Sequence, residues 1–564
     1  MRGNRAIVIA AAIAAVVIAV VLTTTGGGDG DDGGKKAGGG GSKPAAGAIR
    51  VSFAYSPEKE ALLKPLIERF NREGVQADGR PVFVDAQIVS SGDAEARIAS
   101  GKLRPVAWSP ASSLWGRLLN FEADREYVAD ENPSIVRTPL VIAMWEPLAR
   151  ALGWPRKPVG FQRILDLALD RRGWAAYGKP QFGRFKLGHT NPDFSTSGLS
   201  AVAAEYYSAT GKREGLTEDD IRKPKVRREI KAIERSIVHY GDTTLFFSDQ
   251  LKRYGPAYAS AVAMEEVTLV DFNRSRRGQK LVGLYPAEGT FFSDNPFIVL
   301  GAPWVSAQKR AGAEAFERWL GKEVTPERAS RSGFRPGDPD QKASPPIDAA
   351  HGADPAQPKR VLSLPQPRVL ARIKQSWQED RKPANVMLVV DTSGSMSEEG
   401  KLDQAKQGLR LFLRELAPFD RVGMLTFNDQ VKQTVPLAPF STNRAKLSSA
   451  VNDLFPDGET AVYDATDRGF KAIGDLRDDA RINAVVVLTD GEDNQSRMSD
   501  REVVDELARQ SRSEGLAVRV YSIAYGSQAN KDVLADIANA SGGKPFEGDP
   551  KEIESVYRSI SSFF

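Results

Sequence analysis

The sequence predicts an α/β protein built from more than one domain. Short apolar runs alternate with amphipathic stretches from residue 49 to about 333, and again from 383 to 564, a pattern typical of strands alternating with helices. A length of 564 residues exceeds what one hydrophobic core normally accommodates. The runs "NVMLVV" and "NAVVVL" are almost wholly apolar, as expected of parallel strands covered by helices on both faces.

The composition excludes several functional classes. Hydrophobic residues make up 41% of the chain and charged residues 27%, as in ordinary globular proteins, and a net charge of +4 is too small to indicate nucleic-acid binding. The sequence contains no cysteine, which excludes disulfides, thiol nucleophiles and thiolate zinc sites. It also contains no serine-hydrolase elbow, phosphate loop, zinc-protease helix or dinucleotide-binding motif. We therefore expect a binding protein rather than an enzyme.

The first 25 residues predict a signal anchor that crosses the membrane once. Arg2 and Arg5 precede an uncharged apolar run from Ala6 to Leu22. As a helix, this run would span about 26 Å, or about 30 Å with the three threonines that follow. Acidic residues come next, so we expect the N-terminus in the cytoplasm and the bulk of the chain on the extracytoplasmic side of the cell membrane. The alternative is a cleaved signal, which would give a secreted protein.

Composition divides the rest of the chain into two linkers and two domains. Residues 26–48 are mostly Gly, which is typical of a flexible linker. Residues 49–335 form the first predicted α/β domain. Residues 336–382 predict a Pro-rich linker followed by a short helix, and residues 383–564 form the second α/β domain.

A candidate metal site lies in the second domain. Asp391, Ser393 and Ser395 follow the strand "NVMLVV", Thr460 lies in a loop that opens a helix, and Asp490 ends the strand of "VVVLTDG". Ligands of parallel sheets collect beyond the carboxyl ends of strands. Hard oxygen ligands without His or Cys favour Mg²⁺, with Mn²⁺ or Ca²⁺ as competitors. The D-x-S-x-S run alone is weak evidence, because Ser and Asp are also ordinary turn and cap residues.

The second domain resembles von Willebrand factor A domains, whose metal-ion-dependent adhesion site combines three motifs. These motifs are D-x-S-G-S, a distant Gly-x-Thr and a strand ending in T-D-G, and all three occur here. The resemblance covers residues 383–564 and implies a doubly wound, Rossmann-like fold. It also implies that the five side chains hold the metal ion, whose open position takes a Glu or Asp carboxylate from a protein partner. The alternative is a retained scaffold whose loops no longer bind a metal.

The first domain carries hydroxyl residues where predicted strands end and helices begin. The order of these segments, including "TNPDFSTSG", resembles two-lobed extracytoplasmic solute-binding proteins, that is, the type II periplasmic-binding-protein-like fold, with the second lobe at about 145–290. The resemblance implies a small polar or anionic ligand held at helix N-termini. Long aromatic and basic insertions depart from the family and favour a larger ligand or none. The alternative is that the hydroxyl residues serve only as helix caps. The candidate contacts are Ser56, Ser91, Ser109, Ser195, Thr196 and Ser197.

The three histidines, His189, His239 and His351, are isolated along the sequence, without a metal-binding or triad partner near them. The sequence thus predicts a membrane-tethered extracytoplasmic binding or adaptor protein that holds a divalent metal and, through it, an acidic residue of a protein partner. The alternative is a solute-binding receptor that delivers a small ligand to a transporter or sensor.

Overall fold

The computed structural model describes residues 44–276, 278–511, 518–548 and 553–564. The predicted anchor, residues 1–25, and most of the Gly-rich linker lie outside the described residues. Within the described ranges, no helix combines the length and the apolar character needed to cross a bilayer.

The N-terminal domain contains two sheets and their covering helices. Its strands are β1 (Ile49–Tyr55), β2 (Gln76–Ala77), β3 (Arg80–Ile88), β4 (Ala107–Ser109), β5 (Val136–Trp145), β6 (Leu187–Gly188), β7 (Ala261–Glu265), β8 (Leu281–Leu284), β9 (Phe292–Ser293), β10 (Ile298–Val299) and β11 (Arg335–Pro336). Its helices are α1 (Glu60–Glu73), α2 (Ser91–Ala99), α3 (Leu114–Ala123), α4 (Glu146–Ala151), α5 (Phe161–Leu169), α6 (Thr196–Thr210), α7 (Glu218–Arg222), α8 (Pro224–Glu234), α9 (Thr244–Tyr254), α10 (Glu266–Ser275), α11 (Ala307–Glu323) and α12 (Pro326–Arg331).

The two sheets define two lobes. The first has the strand order β10-β4-β1-β3-β2, in which β1 is parallel to β3 and β4. The second has the order β11-β5-β7-β6, and β8 and β9 also pair with β5. The chain leaves the first lobe before β5, returns to it at β10 and then adds β11 to the second sheet, so most of the second lobe is inserted into the first. Between β5 and β10, the strands of the second sheet extend from Val136 to Ser293, whereas the sequence predicted a second lobe at about 145–290.

Apolar faces explain how the helices pack on the first sheet. Helix α1 buries Leu66 and Phe70 on one face and ends at Gly74, whose φ is +64°, a left-handed conformation that glycine adopts without strain. The Phe70 ring packs against Phe316 of α11 at a centroid distance of 4.8 Å, and Phe316 packs in turn against Phe53 of β1. This aromatic cluster holds both helices on the sheet.

The predicted Pro-rich linker is packed against the second lobe. Ile347 and Leu362 are buried, and the Leu362 amide donates a hydrogen bond of 2.9 Å to the Thr290 carbonyl. The segment continues into α13 (Pro367–Asp380), where the sequence predicted a short helix. A Pro-rich polar linker is expected to be solvated; the few apolar side chains of this one anchor it to the lobe instead.

The C-terminal domain is a doubly wound sheet. Its strands are β12 (Ala384–Asp391), β13 (Arg421–Phe427), β14 (Val431–Pro439), β15 (Ile482–Thr489), β16 (Val518–Tyr525) and β17 (Lys544–Gly548). Its helices are α14 (Lys401–Glu415), α15 (Phe440–Asn452), α16 (Val462–Gly474), α17 (Asp500–Ser511), α18 (Lys531–Ala540) and α19 (Ile553–Ser561). The strand order is β14-β13-β12-β15-β16-β17, and only the pairing of β14 among these is antiparallel.

Every residue of β12, β15 and β16 is buried. Alternate side chains of β12 enter two different cores, with Leu388 in one and Met387 and Val389 in the other. Helices therefore cover both faces, which is why these strands are apolar throughout. Because β12 and β15 are parallel neighbours, their carboxyl ends lie side by side at one edge of the sheet.

The C-terminal domain contacts both lobes of the N-terminal domain. Arg558 of α19 lies 3.4 Å from the carboxylate of Asp93, in helix α2 of the first lobe. The Phe563 ring packs against Phe246, in helix α9 of the second lobe, at a centroid distance of 5.1 Å. Lys544 of β17 also forms an ion pair with Asp242 of the second lobe. The last helix and strand of the domain therefore bridge the two lobes.

Candidate functional site

The loop after β12 is organised around Asp391. The Ser393 amide donates a 2.7 Å hydrogen bond to one oxygen of Asp391, and the Thr489 hydroxyl donates a 2.5 Å hydrogen bond to the other. The Gly394 amide donates to the Gly458 carbonyl at 2.9 Å. These bonds fix the D-x-S-G-S loop against β15 and against the loop that carries Thr460.

The second carboxylate, Asp490, faces the same loop. The Ser395 hydroxyl donates a 2.7 Å hydrogen bond to Oδ1 of Asp490, and the hydroxyl oxygens of Ser393 and Ser395 lie 3.0 Å apart. Thr460 completes the group, since a Cβ built on Gly491 would lie 3.3 Å from the Thr460 hydroxyl oxygen and 3.7 Å from that of Ser395. The structure thus brings all five predicted side chains together, and their role as metal ligands stays a prediction.

Lys401 is a sixth member of this group that the sequence did not predict. Its ammonium lies 2.7 Å from Oδ2 of Asp490 and 3.4 Å from Glu398, and the side chain is almost fully buried. Burial lowers the pKa of Lys401, but the hydrogen bonds and charges of Asp490 and Glu398 together outweigh this effect, so the pKa is raised overall. The only signal in the sequence is a lysine at the start of the helix that follows D-x-S-G-S.

The electrostatics of the site suit a divalent cation. Burial raises the pKa of Asp391 to about 6, although hydrogen bonds from Thr489 and Ser393 oppose the shift. The five side chains offer two carboxylates and three hydroxyls, and none of them is a His or Cys. Such an oxygen-only set of ligands is one that Mg²⁺, Mn²⁺ and Ca²⁺ accept. Lys401 offsets one of the two carboxylate charges, so the ion would leave a net positive charge that attracts an anionic ligand.

A second polar site lies between the lobes. It is a cavity of about 20 Å³, roughly the room that one water needs, so the lobes are closed on each other. Of the predicted contacts, Ser56, Ser91, Ser195 and Thr196 line it.

Two predicted contacts do not line the interlobe cavity. Ser109 is buried at the end of β4, where its carbonyl accepts a hydrogen bond from the Ser56 amide. The Ser197 hydroxyl is paired with that of Thr190 at 2.8 Å. The amide of Gly92, beside Ser91, donates to the Phe194 carbonyl of the other lobe at 2.9 Å. The Gly92 amide at this end of α2 therefore holds the two lobes together and is not available to bind an anion.

The interlobe cavity is more acidic than the sequence predicted. Glu58, Asp242 and Glu265 line it, and burial raises the pKa of Glu265 to about 7. The buried Lys59 ammonium donates to Asn295 at 2.8 Å and contacts Ser56 and Glu58. None of these residues was predicted, because Glu58 and Lys59 read as ordinary helix-start residues and Glu265 as the end of a strand.

The histidines are all paired in the fold. His189 Nε2 lies 3.1 Å from Glu234, His239 contacts the Tyr258 hydroxyl, and His351 Nδ1 lies 2.8 Å from Asp348. The sequence missed these partners because the first two lie many positions away along the chain.

Comparisons with known proteins agree with both resemblances. The family model for the von Willebrand factor type A domain matches residues 385–556, and the model for bacterial extracellular solute-binding proteins matches residues 51–335, about half of the chain. An uncharacterized protein of Mycobacterium tuberculosis is 22% identical over 464 residues, which cover 78% of this chain and 64% of the relative. The chain spans less than two thirds of the length of the curated relatives that it matches first.

Among solved structures, a von Willebrand factor type A protein from Catenulispora acidiphila is 22% identical, with 32% of this chain and 42% of that chain covered and a TM-score of 0.28. Proximal thread matrix protein 1 from the mussel byssus, solved with zinc in its own metal-ion-dependent adhesion site, is 17% identical, with 32% of this chain and 47% of that chain covered and a TM-score of 0.27. From the family models, the chain belongs to the bacterial extracellular solute-binding proteins and carries a von Willebrand factor type A domain after the solute-binding domain.

Proposed function

We propose that this chain is a membrane-tethered extracytoplasmic adaptor whose von Willebrand factor A domain binds a divalent metal ion and, through it, an acidic residue of a protein partner. One observation carries the proposal: hydroxyls and two carboxylates from three loops converge at the carboxyl edge of β12 and β15. The tether is residues 1–25, and we expect the rest of the chain outside the cytoplasm.

The chain's own residues have separate roles in this proposal. Asp391 and Asp490 supply negative charge, and the hydroxyls of Ser393, Ser395 and Thr460 supply neutral oxygens. Mg²⁺ is the expected ion; it takes six oxygen ligands and keeps some of them exchangeable, which leaves room for a partner's carboxylate. Lys401 engages Oδ2 of Asp490 and so turns the other oxygen, Oδ1, toward Ser395.

Titration calorimetry tests the metal site. The fragment 34–564, which forms one compact unit, is titrated with Mg²⁺ and Mn²⁺, alongside its Asp391→Ala and Thr460→Ala variants. We expect saturable binding in the parent fragment and an affinity at least about 100-fold lower in Asp391→Ala, because a charged ligand is lost. Asp403→Ala, which removes an exposed carboxylate on α14, is the matched control and should bind like the parent. Unchanged binding in both site variants would contradict the proposal.

The interlobe cavity supports a second candidate function, a receptor that delivers a small ligand to a transporter or sensor. Four predicted hydroxyl residues line a cavity between two lobes that are closed on each other. Three carboxylates line the same cavity. Glu58 is paired with Lys59 and Asp242 with Lys544, and Glu265 is the third. Because three carboxylates face two ammonium groups, the charge balance favours a hydroxylated or cationic solute over a small oxyanion.

Gly92→Ala is expected to open the lobes. A Cβ at position 92 would lie 2.1 Å from the carbonyl oxygen of Asp193 in the other lobe and 2.7 Å from the Trp115 ring, so the closed arrangement cannot hold it. Small-angle X-ray scattering should show a larger radius of gyration than that of the parent. Gly321→Ala, in helix α11 with no atom within 4 Å of the added Cβ, is the control and should leave the scattering unchanged. Identical curves for all three proteins would refute the expectation.

A further inference from the structure

A buried cluster of one histidine and two glutamates lies inside the second lobe, and none of the three residues belongs to either site described above. His189 follows β6, Glu205 lies in α6, and Glu234 ends α8. All three side chains are essentially inaccessible to solvent. One ligand atom from each lies within 4.8 Å of the other two, so their donor atoms surround a common point.

Hydrogen bonding places a proton on Nδ1 of His189. Its Nδ1 lies 2.8 Å from the Thr190 carbonyl oxygen, and because a carbonyl can only accept, Nδ1 carries a proton. The other nitrogen, Nε2, faces the Glu234 carboxylate at 3.1 Å. A backbone carbonyl that orients one ring nitrogen while the other faces carboxylates is the usual outer-shell arrangement of a metal-binding histidine.

Glu205 supplies a second, independent observation. Both of its carboxylate oxygens are buried and have no hydrogen-bond partner among the described residues, and one of them belongs to the cluster. An unpartnered buried carboxylate is strongly destabilised when it is ionised, because its charge is removed from water without compensation. Such a group either holds a proton or takes a partner that the chain does not supply. For Glu205, the donor atoms of His189 and Glu234 beside it favour a cation as that partner.

The outer part of the cluster is already organised. The Tyr240 hydroxyl donates a 2.5 Å hydrogen bond to Glu234, and the Lys382 amide donates a 2.9 Å hydrogen bond to the Tyr240 oxygen. Glu234 therefore has one oxygen held by Tyr240 and the other directed at His189. Glu205 alone lacks any such support.

We propose that His189, Glu205 and Glu234 bind a divalent transition-metal ion inside the second lobe, with Zn²⁺ as the ion that this donor set favours. One imidazole nitrogen and two carboxylates suit Zn²⁺, whereas Mg²⁺ and Ca²⁺ take oxygen ligands only. Two ionised glutamates and a neutral histidine balance a charge of +2, so the cluster becomes neutral in a medium where net charge is costly.

The ion would tie β6, α6 and α8 together in a chain that has no cysteine for disulfides. Helix α6 carries Thr196, which lines the interlobe cavity, so the ion would also hold one wall of that cavity. Since the cluster is inaccessible, the metal is expected to enter during folding and to exchange slowly afterwards.

Elemental analysis of the full chain tests the proposal. The protein is produced with Zn²⁺ in the growth medium, dialysed without chelator and analysed by plasma mass spectrometry, in an Asp391→Ala background that removes the adhesion-type site. We expect about one zinc per chain, and at least about tenfold less in Glu205→Gln and His189→Gln. Glu95→Gln is the matched control, because Glu95 is also buried with two unpartnered oxygens but is not part of the cluster; it should keep the zinc.

Two results would overturn the proposal. The first is a folded parent protein without zinc, which would mean that His189 and Glu205 hold protons instead of a metal. The second is zinc retained at the parent level in both cluster variants. If those variants fail to fold, X-ray absorption at the zinc edge of the parent decides: an imidazole nitrogen with carboxylate oxygens is expected, and a shell of oxygen alone would exclude this site.

Discussion

Replacing Asp420 by alanine is expected to lower the free energy of unfolding by about 3–5 kcal/mol, the usual cost of removing one partner of a buried ion pair. Asp420 is fully buried and accepts hydrogen bonds from Arg381 at 2.6 Å and from the Ala384 and Ala417 amides at 2.8 Å. The substitution leaves the Arg381 guanidinium, itself buried, without a carboxylate, and it leaves two amides without an acceptor.

Chemical denaturation of the parent and variant measures this effect. Asp85→Ala is the control, because Asp85 pairs with Arg50 at 2.8 Å on the exposed surface and such pairs contribute at most about 1 kcal/mol. Similar losses in the two variants would show that Asp420 does not anchor the junction between α13 and β12.

Glu95→Gln is expected to remove a pH dependence of stability. Glu95 is buried without a hydrogen-bond partner, and burial, reinforced by the charge of Glu122, raises its pKa from 4.5 to about 7. The folded state therefore holds a proton that the unfolded state has released, so stability falls as pH rises from 4.5 to about 7 and is constant above that. The loss across this window is about 3 kcal/mol.

Thermal or denaturant unfolding of the parent and variant between pH 4.5 and 8 checks this expectation. The variant should gain stability relative to the parent as pH rises to about 7, and the difference should then stay constant. Glu131→Gln, an exposed position, is the control and should follow the parent at every pH. Parallel profiles for Glu95→Gln and the parent would contradict the assigned burial effect.

The sequence predicted that the five side chains of the candidate metal site converge because the pattern that carries them is local. Each apolar run marks a buried strand, and the polar residues directly after it must lie at the carboxyl edge of the sheet. Asp391 and Asp490 meet because β12 and β15 are neighbours. Lys401 escaped prediction because its contact with Asp490 depends on where helix α14 begins relative to a loop far along the chain.

In the N-terminal domain, the local sequence pattern predicted only some of the residues that line the interlobe cavity. Thr196 and Ser197 are adjacent at the start of α6, but Thr196 lines the interlobe cavity while Ser197 is paired with Thr190. Successive helical side chains point about 100° apart, and sequence alone does not say which of them faces the other lobe. The partners of His189 could not be predicted from the sequence for a similar reason, because β6, α6 and α8 come together only through the packing of the second lobe.

The bridge formed by Arg558, Lys544 and Phe563 has a thermodynamic consequence. These side chains reach Asp93 in one lobe and Asp242 and Phe246 in the other, so a solute that changes the angle between the lobes must also change the free energy of these contacts. Coupling of this kind is reciprocal: under the proposed function, the factor by which a solute alters the affinity for a protein partner equals the factor by which that partner alters the affinity for the solute. Measuring either factor would therefore give the other.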